Sequence, residues 1–364
     1  VCVCVRCLCV LHTGVRNSFL VEQGIVAVFL ATALTWWLSS FVPVTTALSR
    51  TCFCVLQWFV LSTPCWSMPS ILAGLVFKRW HDFKAERVAL LFSQSHCHDV
   101  ICVQELYSFW WTAHWQNHFL AQARQHGFTH SISTRFPRFP AFIFNSGLVI
   151  VSRFPIAESE FHAFPTPAFY DVITTNRGVM WARVELPGQK HVSVFTFHLA
   201  PPKDEVVQRM KLLSMASCVQ PIQCQQLVQF VETCIAGKNQ EPVIIAGDFN
   251  FEPESSCYNV FSSLLQKRLP MPFRDDFVRK CKISDGWTAT FGNLNNMGNP
   301  EETLLTHPTV YGIDSRPDHC FSSFPDEAVI SAQVDKLQRP GTDRAHYQQV
   351  SDHSGLTIEY IISA

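Results

Sequence analysis

Five short stretches of this chain place acidic, amide or imidazole side chains at the edges of apolar runs. Gln104-Glu105 follows Asp99–Val103, and His198 follows Val192–Phe197. Asp248 and Asn250 close the run that begins at Val243, Asp318 sits in Arg316-Pro317-Asp318-His319, and Asp352-His353 precedes Thr357–Ile362. In Gly247-Asp248-Phe249-Asn250, extended-chain alternation turns a carboxylate and a carboxamide to the same side. Both then address one phosphate or one water. Glu105 is a hard oxygen ligand of the kind Mg²⁺ prefers. Each stretch also has a plainer reading. Asp248 suits a helix cap and Asn250 a turn, Glu105 a solvated strand end, His198 a structural imidazole and Asp352-His353 a turn.

Strands must position most of these groups. Val243–Ala246 is an apolar run bounded by Gly247, which reads as a buried strand ending in a loop. Asp99–Val103, Gly147–Ser152 (ended by Pro155) and Val192–Leu199 read as strands, and Asn176–Val184 as an exposed alternating one. Residues 78–95 carry Arg79, Lys84, Glu86 and Arg87 between apolar positions 83, 88, 91 and 92, the pattern of an amphipathic helix. Residues 203–235 read as a second helix. Residues 267–316, polar and rich in Gly and Asn, read as loop, with Trp287–Phe291 inside it. Cys52–Leu61 reads as the first strand of the sheet.

At 364 residues the chain has ample length to bury a core. Its formal net charge of −1 argues against a generally basic nucleic-acid binder. The 15 cysteines show no C-x₂-C zinc spacing, so most read as free thiols in a reducing, intracellular compartment. Aromatics are abundant, with 30 Phe and 10 Trp. Tyr107, Phe109, Trp110, Trp111, Trp115 and Phe119 form a stripe that divides between core and a membrane-interface surface. Residues 1–50 read as a hydrophobic extension outside a catalytic domain at 51–364. Within it, 24–42 is apolar enough for one membrane anchor, which needs roughly 20 residues. The strict alternation Val1-Cys2-Val3-Cys4-Val5 equally suits an inaccurate gene model.

Taken in order, the Gln-Glu, Phe-His-Leu, Gly-Asp-Phe-Asn, Arg-Pro-Asp-His and Ser-Asp-His stretches resemble the endonuclease/exonuclease/phosphatase superfamily of metal-dependent phosphoesterases. The resemblance implies a DNase I-like α/β fold: a four-layer sandwich of two packed mixed β-sheets flanked by helices. It implies hydrolysis of a phosphodiester by in-line attack of water, with Mg²⁺, or Mn²⁺ in its place, held by Glu105 and assisted by Asp352. It further implies His353 as general base, Asp318 as the carboxylate that fixes its tautomer, and Asp248 as the group that orients the water. Asn250 would hydrogen-bond that water or the phosphate, and His198 would stabilise the pentacovalent oxyanion. One departure stands out. The family's first strand ends in a metal-binding Asn, and here Phe59 or Pro64 occupies that place.

The Asn145–Ile156 strand and turn, and Asn176-Arg177-Gly178, are most similar to neutral sphingomyelinases, with Arg177 replacing a Lys. Arg177 is then the expected contact for a lipid phosphate, and a phospholipid or sphingolipid membrane the expected partner of a monomeric enzyme. Poly(A) deadenylases share Gly-Asp-Phe-Asn-x-x-Pro-x-Ser-x-x-Tyr, which makes nucleic acid the rival substrate. A pseudoenzyme that binds lipid or a protein partner is the third reading, resting on the missing Asn.

Overall fold

A computed structural model of the chain describes residues 83–108, 113–135, 144–166, 175–201, 219–238, 241–280, 289–292, 314–339 and 349–362, and the backbone of 3–12. The strand expected at Cys52–Leu61, with Phe59 and Pro64, and the candidate anchor at 24–42 lie outside the described residues. Among the described residues no helix is long and apolar enough to cross a membrane.

One six-stranded sheet has the order β11-β12-β1-β2-β4-β3. Its members are β1 (Val3–His12), β2 (Val100–Gln104), β3 (His130–Ser133), β4 (Val149–Ser152), β11 (Val329–Asp335) and β12 (Gly355–Ile362). The second six-stranded sheet runs β5-β6-β7-β8-β10-β9. It contains β5 (Ile156–Ala163), β6 (Gly178–Leu186), β7 (Lys190–His198), β8 (Val243–Asp248), β9 (Arg274–Asp275) and β10 (Asp318–Ser322).

Strand parity builds the layers. In β2, Val100 and Cys102 enter a core shared with Met180, Val194, Ala246 and Tyr360, so that core lies between the sheets. Ile101 and Val103 point the other way, onto α1 (Lys84–Gln94) and α2 (His114–Gln125). In the second sheet the alternate residues Phe195, Val243 and Ile245 pack under α3 (Val219–Ile235) and α4 (Ser256–Arg268). Helix, sheet, sheet, helix is the expected four-layer order. Burying each Phe, Leu or Ile contributes roughly 1.5–3 kcal/mol. α4 is capped by Ser255, whose side chain accepts from Tyr258 N.

Three segments differ from the sequence expectation. Asn176–Val184 was expected as an exposed strand, but β6 lies between β5 and β7 with most of its residues buried. An interior strand covered on both faces loses the polar side of its alternation. The 267–316 region, expected as loop, contains β9 and α5 (Asp276–Lys280). The sequence reading also placed 1–50 outside the catalytic domain. The unit that carries both sheets comprises Val1–Gly14 and Ala85–Ala364, with Val15–Lys84 as a second unit. β1, rich in valine and free of Gly and Pro, pairs antiparallel with β12 and parallel with β2, which satisfies its backbone from both sides.

A buried acid marks the core at α5. Asp276 accepts from Tyr360, Arg279 and Ser322. Burial pushes its carboxyl from 3.8 to about 6, against the pull of Arg279 and its hydrogen bonds. Between those values the folded state holds the proton more tightly than the unfolded one, so stability falls as pH rises. The shift corresponds to about 3 kcal/mol, lost by the time pH passes 6. Urea midpoints measured from pH 4 to 7 should fall more steeply for the wild type than for Asp276→Asn. Parallel curves would refute the assignment.

Candidate active site

The inner faces of the two sheets run out of apolar residues at one edge of the sandwich. Following Cys102, Val194, Ala246 and Cys320 by two residues along their strands leads to Gln104, Thr196 and then His198, Asp248 and Asp318. Register completes the convergence. Asp248 pairs with Asp318 on antiparallel β10 and with His198 on parallel β7. Gln104 donates to Thr196 Oγ1 at 2.6 Å, which ties the sheets together at this edge.

Phe249 points outward, fully buried, with ring centroids 4.6 Å from Phe197 and 4.9 Å from Phe261. It anchors the turn while Asp248 and Asn250 face the site. Asn250 adopts φ 54°, a left-handed conformation that Asn tolerates better than most residues. Its backbone N donates to Asp248 Oδ1 at 2.7 Å and its Nδ2 to Leu199 O at 2.9 Å. Gln220 holds the same turn by donating to Ala200 O at 2.8 Å and Asn250 O at 2.9 Å. Gly247 sits so close to β7 that a Cβ would lie 2.3 Å from Phe197 O. Only glycine fits there.

Glu105 is buried and also left-handed, at φ 58°. Strain of this kind persists where surrounding contacts over-determine the backbone. Here they come from the Asn145–Gly147 turn. Asn145 Oδ1 accepts from Ser108 N at 2.9 Å, and Leu106 N donates to Gly147 O at 2.9 Å. A Cβ on Gly147 would meet Leu106 N at 2.9 Å, and its φ of 68° independently disfavours other residues.

His353 lies just before β12 in the first sheet, and its Nδ1 is 2.8 Å from Asp318 Oδ2 in the second. A carboxylate only accepts, so Nδ1 carries the hydrogen and Nε2 is left as the basic nitrogen. Phe291 lies 4.9 Å from the imidazole, centroid to centroid, and bridges both His353 and Ser315. Ser354 N donates to Thr290 O at 2.7 Å, fixing the same loop. His198 sits between two acids, Nε2 at 3.4 Å from Asp248 Oδ2 and Nδ1 at 3.8 Å from Glu105 Oε1. Arg177 donates to Leu199 O at 3.3 Å, the carbonyl that Asn250 also uses. Asp352 is buried and accepts from Ser351 Oγ at 3.3 Å.

Among the described residues, ligand atoms of Asp248, Asp318 and His353 lie within 4.8 Å of one another. That grouping differs from the Glu105 and Asp352 pair expected from sequence. Asp318 Oδ1 is buried with no hydrogen-bond partner among the described residues. Two paired-register carboxylates on one side, with an oxygen left over, fit a hard divalent cation.

Sequence reasoning missed several contributors. Phe291 had no visible role inside an apparent loop, and Gln220 reaches the turn only through the fold. Asp275 and His319 form a second buried carboxylate–imidazole pair, with Nδ1 3.2 Å from Asp275 Oδ2. His319 was visible next to Asp318, but the side of the sheet it occupies was not.

The fold has solved counterparts. SmcL superimposes with a TM-score of 0.57 at 16% identity, covering 77% of this chain and 92% of that one. A beta toxin variant from Staphylococcus aureus with bound magnesium ions gives 0.52 at 16%, covering 77% and 92%. The sandwich and its acidic edge thus define a protein of the DNase I-like class. Residues 80–353 match the Endonuclease/Exonuclease/phosphatase family, and the chain belongs to it. It is also similar to a sphingomyelinase of Dictyostelium discoideum, 24% identical over 307 residues. That match covers 71% of this chain and 66% of the relative's length.

Proposed function

We propose that this chain hydrolyses a phosphodiester by in-line attack of water, on a sphingomyelin-type lipid at a membrane surface. The observation that carries the reaction is the 2.8 Å pairing of His353 Nδ1 with Asp318 Oδ2 across the two sheets. Asp318 holds the imidazole in the tautomer whose Nε2 takes a proton from water, as general bases near neutral pH do. Asp248 and Asn250 orient that water. His198, close to both Asp248 and Glu105, supplies a donor to the oxygen on which charge develops. Arg177 stands near that edge for a phosphate oxygen. Glu105, with Asp248 and the remaining oxygen of Asp318, would hold Mg²⁺, which neutralises phosphate charge when bound. The likeness to a sphingomyelinase supports the lipid, and the formal charge of −1 does not favour capture of a polyanion.

The test is phosphocholine release from sphingomyelin vesicles in Mg²⁺, with an EDTA control and a poly(A) substrate alongside. Release abolished by EDTA is the expected outcome. Shortening of poly(A) with intact vesicles would assign the chain to nucleic acid instead. Turnover of neither would refute the reading.

A further inference from the structure

A buried carboxylate–imidazole pair that the proposed reaction does not use lies on the opposite side of β10 from Asp318. His319 is fully buried. Its Nδ1 lies 3.2 Å from Asp275 Oδ2 and its Nε2 lies 2.9 Å from the carbonyl oxygen of Phe251. A carbonyl only accepts, so Nε2 carries a hydrogen. Asp275 behaves as an acceptor throughout. Tyr258 OH donates to Oδ2 at 3.2 Å and Arg316 Nη1 at 3.4 Å, while Phe277 N donates to Oδ1 at 3.0 Å. Burial alone would raise the Asp275 carboxyl, but the His319 hydrogen bond and the His319 and Arg316 charges outweigh it and hold it below its usual value. A buried carboxylate–imidazole pair of this kind persists because its groups are hydrogen-bonded.

The pair acts on the turn that bears Asn250. Antiparallel pairing of β8 with β10 ends at Asp248 and Asp318. Beyond it three contacts still bind the turn to the β10 segment. Phe249 N donates to Pro317 O at 2.9 Å, Arg316 N donates to Glu252 Oε2 at 3.1 Å, and His319 Nε2 donates to Phe251 O. The turn needs such restraint because Asn250 within it and Glu254 just beyond it hold positive φ, at 54° and 64°, a region in which Cβ crowds the following carbonyl. Of the three contacts, the one from His319 comes from a fully buried side chain.

We propose that His319, held by Asp275, is a positioning residue that clamps the 249–252 turn to β10 and so sets Asp248 and Asn250 against Asp318. This rests on the hydrolytic reading, in which those three side chains act together. The test compares His319→Phe, which keeps the aromatic packing but removes the donor to Phe251 O, with His319→Gln, whose amide retains a donor toward Phe251 O. Turnover of sphingomyelin vesicles and thermal unfolding are measured for both, with His353→Ala as the reference. His319→Phe should lower kcat by about 10–100-fold, the range for residues that orient a site from behind, with KM changed little, and His319→Gln should recover most of the loss. A His319→Phe kcat within about 2-fold of wild type, below that range, while His353→Ala is inactive, would overturn the clamp. Equal losses in both variants that track a lowered Tm would overturn it too. Nitrogen-resolved NMR of the wild-type imidazoles at neutral pH supplies a readout independent of activity and of variant folding. His319 should show a hydrogen on Nε2, and a bare Nε2 would overturn the proposal. Where the wild type turns over no phosphodiester, the hydrolytic reading fails and the imidazole signals decide the clamp.

Discussion

His353→Ala should lower kcat for sphingomyelin vesicles by about 10²–10⁴-fold, the contribution of a positioned general base. The protein should remain folded, because the side chain removed lies in a loop at the sandwich edge, outside both sheets. Asp318→Asn should fall in a similar range through a different cause. An amide can present its NH₂ to Nδ1, which favours the tautomer with the hydrogen on Nε2 and removes the basic nitrogen from the site. The geometry behind both predictions is the 2.8 Å contact between a residue of the first sheet's edge and one of the second's. Because the two act as a unit, the double variant should be little worse than the more damaged single one. Multiplying losses would mean that Asp318 acts independently of His353, and unchanged turnover in His353→Ala would remove it from the mechanism.

The second large effect concerns the cation. Glu105→Gln and Asp248→Asn should each weaken Mn²⁺ binding, followed by water-proton relaxation, by ~100-fold or more. Replacing a group behind a metal ligand costs about 10–100-fold in affinity, and removing a ligand's charge costs more. Turnover should fall in parallel and return in part at high Mg²⁺. Asp248 faces the larger loss, since it also receives the Asn250 backbone N at 2.7 Å and adjoins His198 at 3.4 Å. Glu105→Gln leaves the left-handed backbone at φ 58° and the Gly147 contact in place, so its effect reports the carboxylate alone. Wild-type Mn²⁺ affinity in both variants would place the cation on other residues.

Much of this edge was legible in the amino-acid order. An apolar run that stops at Gly247 and delivers Asp248 and Asn250 is a local pattern, and period-two alternation places both on one side of the chain. The same holds for Glu105 after β2 and His198 at the end of β7. Parity also makes Phe249 turn away from the site, although only the packing against Phe197 and Phe261 shows how firmly it is held.

What the chain order could not supply is which strands lie side by side. β6 looks half exposed because its alternation is real, yet β5 and β7 flank it and both its faces are covered. Residues 274–280 look like loop because β9 has two residues and α5 five, too few for any period to register. His319 follows Asp318 directly, but the pleat sends the two to opposite sides of β10, one to the candidate site and one to Asp275. Phe291 reaches His353 across a separation in sequence that no local pattern spans. Local alternation therefore determined which side chains each strand end offers. Sheet register and the stacking of the two sheets decided which of them meet, because those contacts depend on distances between segments far apart in the chain.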